Sequence, residues 1–298
     1  MDAPVDRLRV IAFSRPAAFV VAEGEGFFAD ESLAVEHTQA RGSAPQLDAL
    51  VRGDFDLAHT AADNIVMRVD RDGADLAVVC VAELGVAQRL VVRPEIASIG
   101  ELRGKDLGVD AIESGYATLL YDILGRRGVA RGSYRPVAVG GTAQRLDALL
   151  AGTIAGAMLA PPHDLRALAE GARVLASAAD DFPGYPGVTV AARRSWARAH
   201  HDLVTRYCRA LLAGARWAAD RANRERVIEL LGPEAGSPNA AVAMYEAEDR
   251  AREVAAPTLA QAHAAMARVV ELRHPGRPPE VERYFDPSFT AAADPALA

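Results

Sequence analysis

Two separated stretches of this chain are near copies of one another, and that repetition limits the fold more than any bulk property does. Gly42-Ser43-Ala44-Pro45-Gln46-Leu47-Asp48-Ala49-Leu50 aligns with Gly141-Thr142-Ala143-Gln144-Arg145-Leu146-Asp147-Ala148-Leu149. A glycine follows each block, Gly53 or Gly152, and a β-rich run follows the glycine. In both copies a glycine leads into a Ser or Thr placed to cap a helix bearing Leu-Asp-Ala-Leu. The repetition predicts a duplicated lobe.

The surrounding pattern agrees. Apolar runs predict strands over Leu8 to Phe13, Leu33 to Thr38, Phe55 to His59 and Leu76 to Ala82. Helical spacing predicts helices between them, over Ala17 to Phe27, Ala44 to Arg52 and Ala61 to Arg71. The order then recurs. Strands are predicted over Asp106 to Asp110, Arg135 to Val139 and Ala155 to Leu159, with helices over Gly115 to Arg126, Ala143 to Ala151 and His163 to Glu170. Short apolar runs without alternation belong to strands covered on both faces, so each lobe is expected to hold a mostly parallel sheet. After a strand over Val188 to Ala192 the pattern is helical only, over Ser195 to Asp220, Asn223 to Leu231, Ser237 to Glu248 and Thr258 to Glu271. The tail after His274 is rich in proline and ends in a small-residue stretch expected to be disordered. The fold class is therefore α/β, with two mixed, mostly parallel sheets, a cleft between lobes and a C-terminal helical extension. The predicted division is residues 1–93 with 190–275 for lobe 1, 94–189 for lobe 2 and 276–298 for the tail.

At 298 residues there is room for two cores, and a net charge of -7 with no basic run argues against a nucleic-acid partner. No apolar stretch is long enough to span a bilayer. Cys80 lies in an apolar run and Cys208 in a helical stretch, so both read as buried, inert thiols rather than a disulfide. Met1-Asp2-Ala3-Pro4 lacks the basic start and apolar stretch of an export leader. The chain is then cytoplasmic as written, or periplasmic if a leader has been removed.

Two α/β lobes of this kind turn their strand C-terminal ends, and the free N–H groups of the following helices, toward a common crevice. The candidate ligand contacts follow from the strand ends: Ser14, Arg15, Gly42, Ser43, His59, Thr60 and Glu83 from the first lobe. Glu113, Ser114, Tyr116, Gly141, Thr142 and Pro161 come from the second. Two chain crossings, near Arg93 to Ser98 and near Val188 to Arg194, would form a hinge.

Several of these segments resemble the sulfonate, nitrate and thiamine-pyrimidine branch (NMT1/THI5-like) of the type 2 periplasmic substrate-binding superfamily. The likeness lies in Ala22-Glu23-Gly24-Glu25-Gly26-Phe27-Phe28-Ala29, in Leu47 to Ala58, in Ser98 to Val109, in Leu146 to Pro162 and in Trp196 to Trp217, and spans roughly residues 7 to 232. It implies a two-lobed receptor for a small organic molecule of polar heterocycle, sulfonate or carboxylate type, serving an ABC-type uptake system with a permease partner. Some members of the superfamily are cytoplasmic enzymes, including a sulfinate desulfinase. The position after the first strand, where the desulfinase carries a nucleophilic cysteine, here reads Ser14-Arg15-Pro16, and the cysteine-rich motif of the pyrimidine synthases is absent.

An enzyme alternative would use His59 as base with Glu113 as its acid–base partner, for decarboxylation, dehydration or isomerisation. A hydrogen-bonding His59 is the plainer reading. Glu113 at the cleft would favour a ligand with N–H donors, whereas the Arg15 fork suits a carboxylate or sulfonate. Together they suggest a polar heterocycle or zwitterion. Tyr116 could stack on a flat ligand. Phe182 and Tyr185 could reach the cleft mouth from a turn-rich loop. No metal-ligand spacing, phosphate loop, G-x-G-x-x-G or nucleophile elbow is present, and neither cofactor nor metal is expected.

Overall fold

The structure, a computed structural model, describes residues 5–297. Twelve strands are found among them: β1 (Asp6–Ala12), β2 (Leu33–Gln39), β3 (Leu57–Ala61), β4 (Leu76–Cys80), β5 (Glu83–Leu84), β6 (Arg89–Val92), β7 (Asp106–Val109), β8 (Arg135–Ala138), β9 (Gly156–Leu159), β10 (Arg173–Ser177), β11 (Val188–Arg193) and β12 (Val254–Ala255). They form two five-stranded sheets, ordered β2-β1-β3-β11-β4 and β10-β6-β9-β7-β8, and a small β12-β5 pair. Every residue of β3, β4 and β9 is buried, as in strands covered on both faces, although β3 carries the polar His59 and Thr60.

The two sheets are built alike. Read from one edge the first is β2-β1-β3-β11-β4, and the second, read from its far edge, is β8-β7-β9-β6-β10. In each, four strands point one way and one runs against them: β11 in the first, β6 in the second. These reversed strands are the chain crossings themselves. The chain leaves the first sheet before Arg89, earlier than the crossing expected near Arg93 to Ser98, because Arg89–Val92 is drawn into pairing, and it returns at Val188, where the second crossing was expected. Neither β6 nor β10 was expected. β6 offers a run of only three apolar residues, Leu90-Val91-Val92, and β10 is largely exposed.

The repeated block folds into equivalent helices, Ser43–Arg52 after β2 and Thr142–Leu150 after β8. Gly42 and Gly141 occupy the N-cap positions, without a side-chain cap, and Ser43 and Thr142 are the first helical residues. The expectation that Ser43 and Thr142 cap these helices is thus corrected by one position. The aligned residues Gln46 and Arg145 do equivalent work. The Gln46 Nε2 donates to the His59 carbonyl on β3 at 2.9 Å, and the Arg145 Nε donates to the Met158 carbonyl on β9 at 3.2 Å. Each buried polar side chain ties its helix to the C-terminal edge of its own sheet.

The helical run predicted over Ser195 to Asp220 divides into Arg194–Ala199 and His201–Ala219. The disorder predicted for the end of the chain is corrected: the tail after His274 packs onto the outer edge of the first sheet. The Val78 N–H donates to the Tyr284 carbonyl at 2.8 Å and the Asp286 N–H to the Val78 carbonyl at 2.9 Å, with Phe285 bridging to Val78. A helix, Ser288–Ala293, follows, and Phe285 and Phe289 are each 1% exposed. An open strand edge has unpaired backbone groups, and this segment covers that of β4. Cys80 and Cys208 are both free and buried. No helix among the described residues is long and apolar enough to cross a membrane.

Candidate functional site

A cavity of about 180 Å³ lies between the two sheets. It has three walls. The first sheet gives Ser14 after β1, Gln39 and Ala40 at the end of β2, His59 and Thr60 on β3, and Asn64 on the helix Ala62–Asp72. The second gives Asp110, Tyr116, Gly141, Thr142, Arg145, Pro161 and His163, all just beyond the C-terminal ends of β7, β8 and β9. The third wall is the crossing segment Glu83–Gln88 with Gly187 and Val188, and against it the C-terminal end of the helix Pro238–Ala251, bearing Glu248 and followed by Arg252.

The third wall is held by close backbone contact. β12 pairs with β5, so Glu83 and Leu84 are sewn to Val254 and Ala255. Gly85 has φ +115°, and a Cβ there would lie 1.9 Å from the Ala251 carbonyl oxygen, so only glycine fits. Arg252 donates from Nε to the Glu83 carboxylate at 2.7 Å.

The predicted contacts divide on this geometry. Ser14, His59, Thr60, Glu83, Tyr116, Gly141, Thr142 and Pro161 stand on the cavity wall. Arg15 does not; its guanidinium is held by Glu23 at 2.6 Å and by Glu234, which fix it to the helix Arg224–Ala235. Gly42 is an N-cap off the cavity. Ser43, Glu113 and Ser114 line a separate groove between the lobes, with Met67 and Arg71. Ser114 is spent as an N-cap, accepting from the Ala117 N–H at 3.3 Å while its hydroxyl donates to Asp110. Glu113 is exposed and faces Arg71 at 3.4 Å.

The suggested His59–Glu113 acid–base pair is therefore not assembled. The His59 ring is 2% exposed, pairs with the Tyr207 hydroxyl at 2.7 Å and meets the Phe19 ring edge-on at 5.5 Å. Burial, with a smaller push from His37, lowers its pKa to about 3, so it stays neutral near pH 7. The ligand chemistry inferred from Arg15 and Glu113 falls too, since neither reaches the cavity.

Other groups take their place. Arg145 is almost wholly buried, and its fork is used within the second lobe: Nη1 donates to the Gly140 carbonyl at 2.8 Å and Nη2 to the Thr142 hydroxyl at 3.2 Å. Burial pushes the Tyr116 phenol upward, and it remains protonated. Burial also lowers the His163 pKa, with Arg166 and Arg145 adding to it. Asn64 joins the lobes, accepting from the Gly115 N–H at 2.9 Å and donating to the Thr60 hydroxyl at 3.0 Å. Glu248 and Arg252 gave no signal in sequence because their pattern is that of an ordinary amphipathic helix end. Arg145 could have been found, since it aligns with Gln46 in the repeat. Phe182 and Tyr185 pack into the main core instead of reaching the cavity. No cluster of three or more His, Cys, Asp or Glu side chains able to hold a metal occurs among the described residues.

A sequence profile of the NMT1-like family matches residues 7–232. The chain belongs to that family. No curated protein matches it. Solved structures share the NMT1-like chain's periplasmic-binding-protein fold at low identity. A protein from Bordetella bronchiseptica superposes with a TM-score of 0.81 at 16% identity, covering 97% of each chain. The alkanesulfonate-binding protein of Xanthomonas axonopodis pv. citri, bound to MOPS, gives 0.78 at 18% identity, covering 95% of this chain and 99% of its own. The ligand-binding component of an ABC-type import system from Staphylococcus aureus gives 0.79 at 14% identity, covering 98% and 99%.

Proposed function

We propose that this NMT1-like protein is the substrate-binding component of an ABC-type uptake system, holding one small polar organic molecule between its lobes for delivery to a membrane permease. The observation that supports this is the cavity itself: both sheets and both chain crossings wall it, so a molecule inside touches everything that must move when the lobes part. The family membership and the import-system neighbours point the same way. The catalytic alternative lacks support from the geometry, because His59 is buried against Tyr207 and Glu113 lies outside the cavity.

Calorimetric titration of the purified protein with panels of sulfonates, carboxylates, heterocycles and amines tests the proposal. A binder should be recovered chemically unchanged, and Tyr116→Ala should weaken it about tenfold or more through lost contact area. Conversion of the compound, or binding indifferent to Tyr116→Ala, would overturn it.

A further inference from the structure

The third wall of the cavity lies partly outside the segment that defines the family. The NMT1-like match ends at residue 232, while the helix Pro238–Ala251 and Arg252 bring a carboxylate and a guanidinium back to the cavity. Three carboxylates (Glu83, Asp110, Glu248) and two guanidiniums (Arg145, Arg252) stand on the walls. Arg145 is engaged with atoms of the second lobe, and Arg252 holds Glu83 through Nε while its Nη1 is buried without a partner. Glu248 forms no ion pair among the described residues. Its carboxylate instead faces the Ala17 N–H, the first amide of the helix that follows β1. That amide is one of the free donors that an anionic ligand would use, and a side chain of the protein itself already sits there.

A second observation points to the same chemistry. Gln88 lines the cavity and is 6% exposed, and its Oε1 has no hydrogen-bond partner. A buried acceptor without a donor is costly unless something supplies an N–H or O–H. The wall therefore presents acceptors in excess, Glu83, Glu248 and the Gln88 carbonyl, against one unpaired donor, the Arg252 Nη1. A sulfonate placed against it would meet two carboxylates, while a cation would meet complementary charge.

We propose that the cavity selects a ligand bearing a protonated nitrogen, an ammonium or amidinium, received by Glu83, Glu248 and Gln88, and that the C-terminal helix supplies this specificity. The inference rests on the receptor reading above and narrows its ligand class. Desolvation, and then the neighbouring Glu83 charge, push the Glu248 carboxyl up to about 7, with Arg252 and the Ala17 amide opposing and Asp164 of the second lobe adding to the rise. Asp164 is itself paired with Arg89 at 3.2 Å, and His163 adjoins it on the cavity wall. A bound cation would hold Glu248 ionised and so bind with proton release near neutrality.

Three probes built on one phenyl ring test this on the full chain: benzamidine (cationic), benzamide (neutral) and benzenesulfonate (anionic), each titrated up to about 10 mM by calorimetry and ligand-observed NMR. Benzamidine should bind at least about tenfold more tightly than either of the others at about pH 8, and lose about tenfold at about pH 5.5. Glu248→Gln should remove that preference while leaving the folded CD spectrum and melting transition in place. The probe ranking on the unaltered protein carries the test should that variant fail to fold. Benzenesulfonate or benzamide binding as well as benzamidine, at a site lost in Tyr116→Ala, would overturn the cationic subsite and leave the receptor reading standing. If no probe of any class binds, the receptor reading fails, and this inference with it.

Discussion

At the scale of single residues, what each side chain can do is set by what it already touches. Arg15, the most inviting anion ligand in the sequence, is committed to Glu23 and Glu234. His59 has the right address but is locked as a neutral core partner of Tyr207. Glu248 is the opposite case, an unremarkable helix residue raised to about 7 by desolvation and by Glu83. Its folded pKa lies above the usual glutamate value of 4.5, so the stability it contributes is fully present below about pH 4.5 and is lost as pH rises through about 7. His59, lowered from 6.5, has the reverse sign, contributing stability above about pH 6.5 that is lost on acidification. The difference between unaltered protein and Glu248→Gln isolates the first effect. Denaturant titrations should show the variant gaining roughly 2 kcal/mol relative to the parent between about pH 4.5 and about pH 8, after allowance for partial exposure. A pH-independent difference would show that the carboxyl titrates normally.

At the scale of elements, the C-terminal extension is as much a part of the architecture as the repeats. β12 pairs with β5, and the segment around Phe285 closes the edge of β4. Phe289 lies in the core between the first sheet and the helix His201–Ala219. Its replacement by alanine should cost about 3–5 kcal/mol, seen as a lower urea midpoint without a change in slope. A cost under about 1 kcal/mol would mean that this end is only loosely attached. The same packing accounts for the failed expectation of disorder. Pro275, Pro278 and Pro279 and the alanine-rich end look like a linker, but between them stand Val281, Tyr284, Phe285 and Phe289, each 2% exposed or less. Four anchors bury enough apolar surface to order the stretch. Composition averaged them away.

At the scale of the whole molecule, the lobes are joined by more than the crossings. Arg273, at the end of the helix Leu259–Arg273, holds both oxygens of the fully buried Asp63, at 2.7 and 2.9 Å, and also donates to the Glu113 carbonyl of the second lobe. Desolvation raises the Asp63 pKa, and the Arg273 hydrogen bonds oppose it. Arg273→Ala would leave that carboxyl buried and alone and free one strut between the lobes. Thermal and chemical denaturation should show a loss of about 3–5 kcal/mol, and small-angle scattering a larger radius of gyration for the ligand-free protein. An unchanged radius with reduced stability would assign Arg273 to the first lobe's core and not to the link between lobes.

The sequence by itself determined the α/β class, the doubling of the unit, most strands and helices, and which strand ends would face a crevice. These are local properties: apolar runs, helical spacing, glycines at junctions. It placed Ser14, Thr60, Tyr116 and Thr142 because strand C-terminal ends converge in any such pair of sheets. Only the tertiary structure decided which of the polar groups at those ends remain available. Arg15 and Glu113 are lost to partners remote in sequence, and Glu248 and Arg252 arrive at the cavity from a helix far along the chain. Hydrogen bonds and charge pairs form between neighbours in space, and the chain order carries almost no record of them.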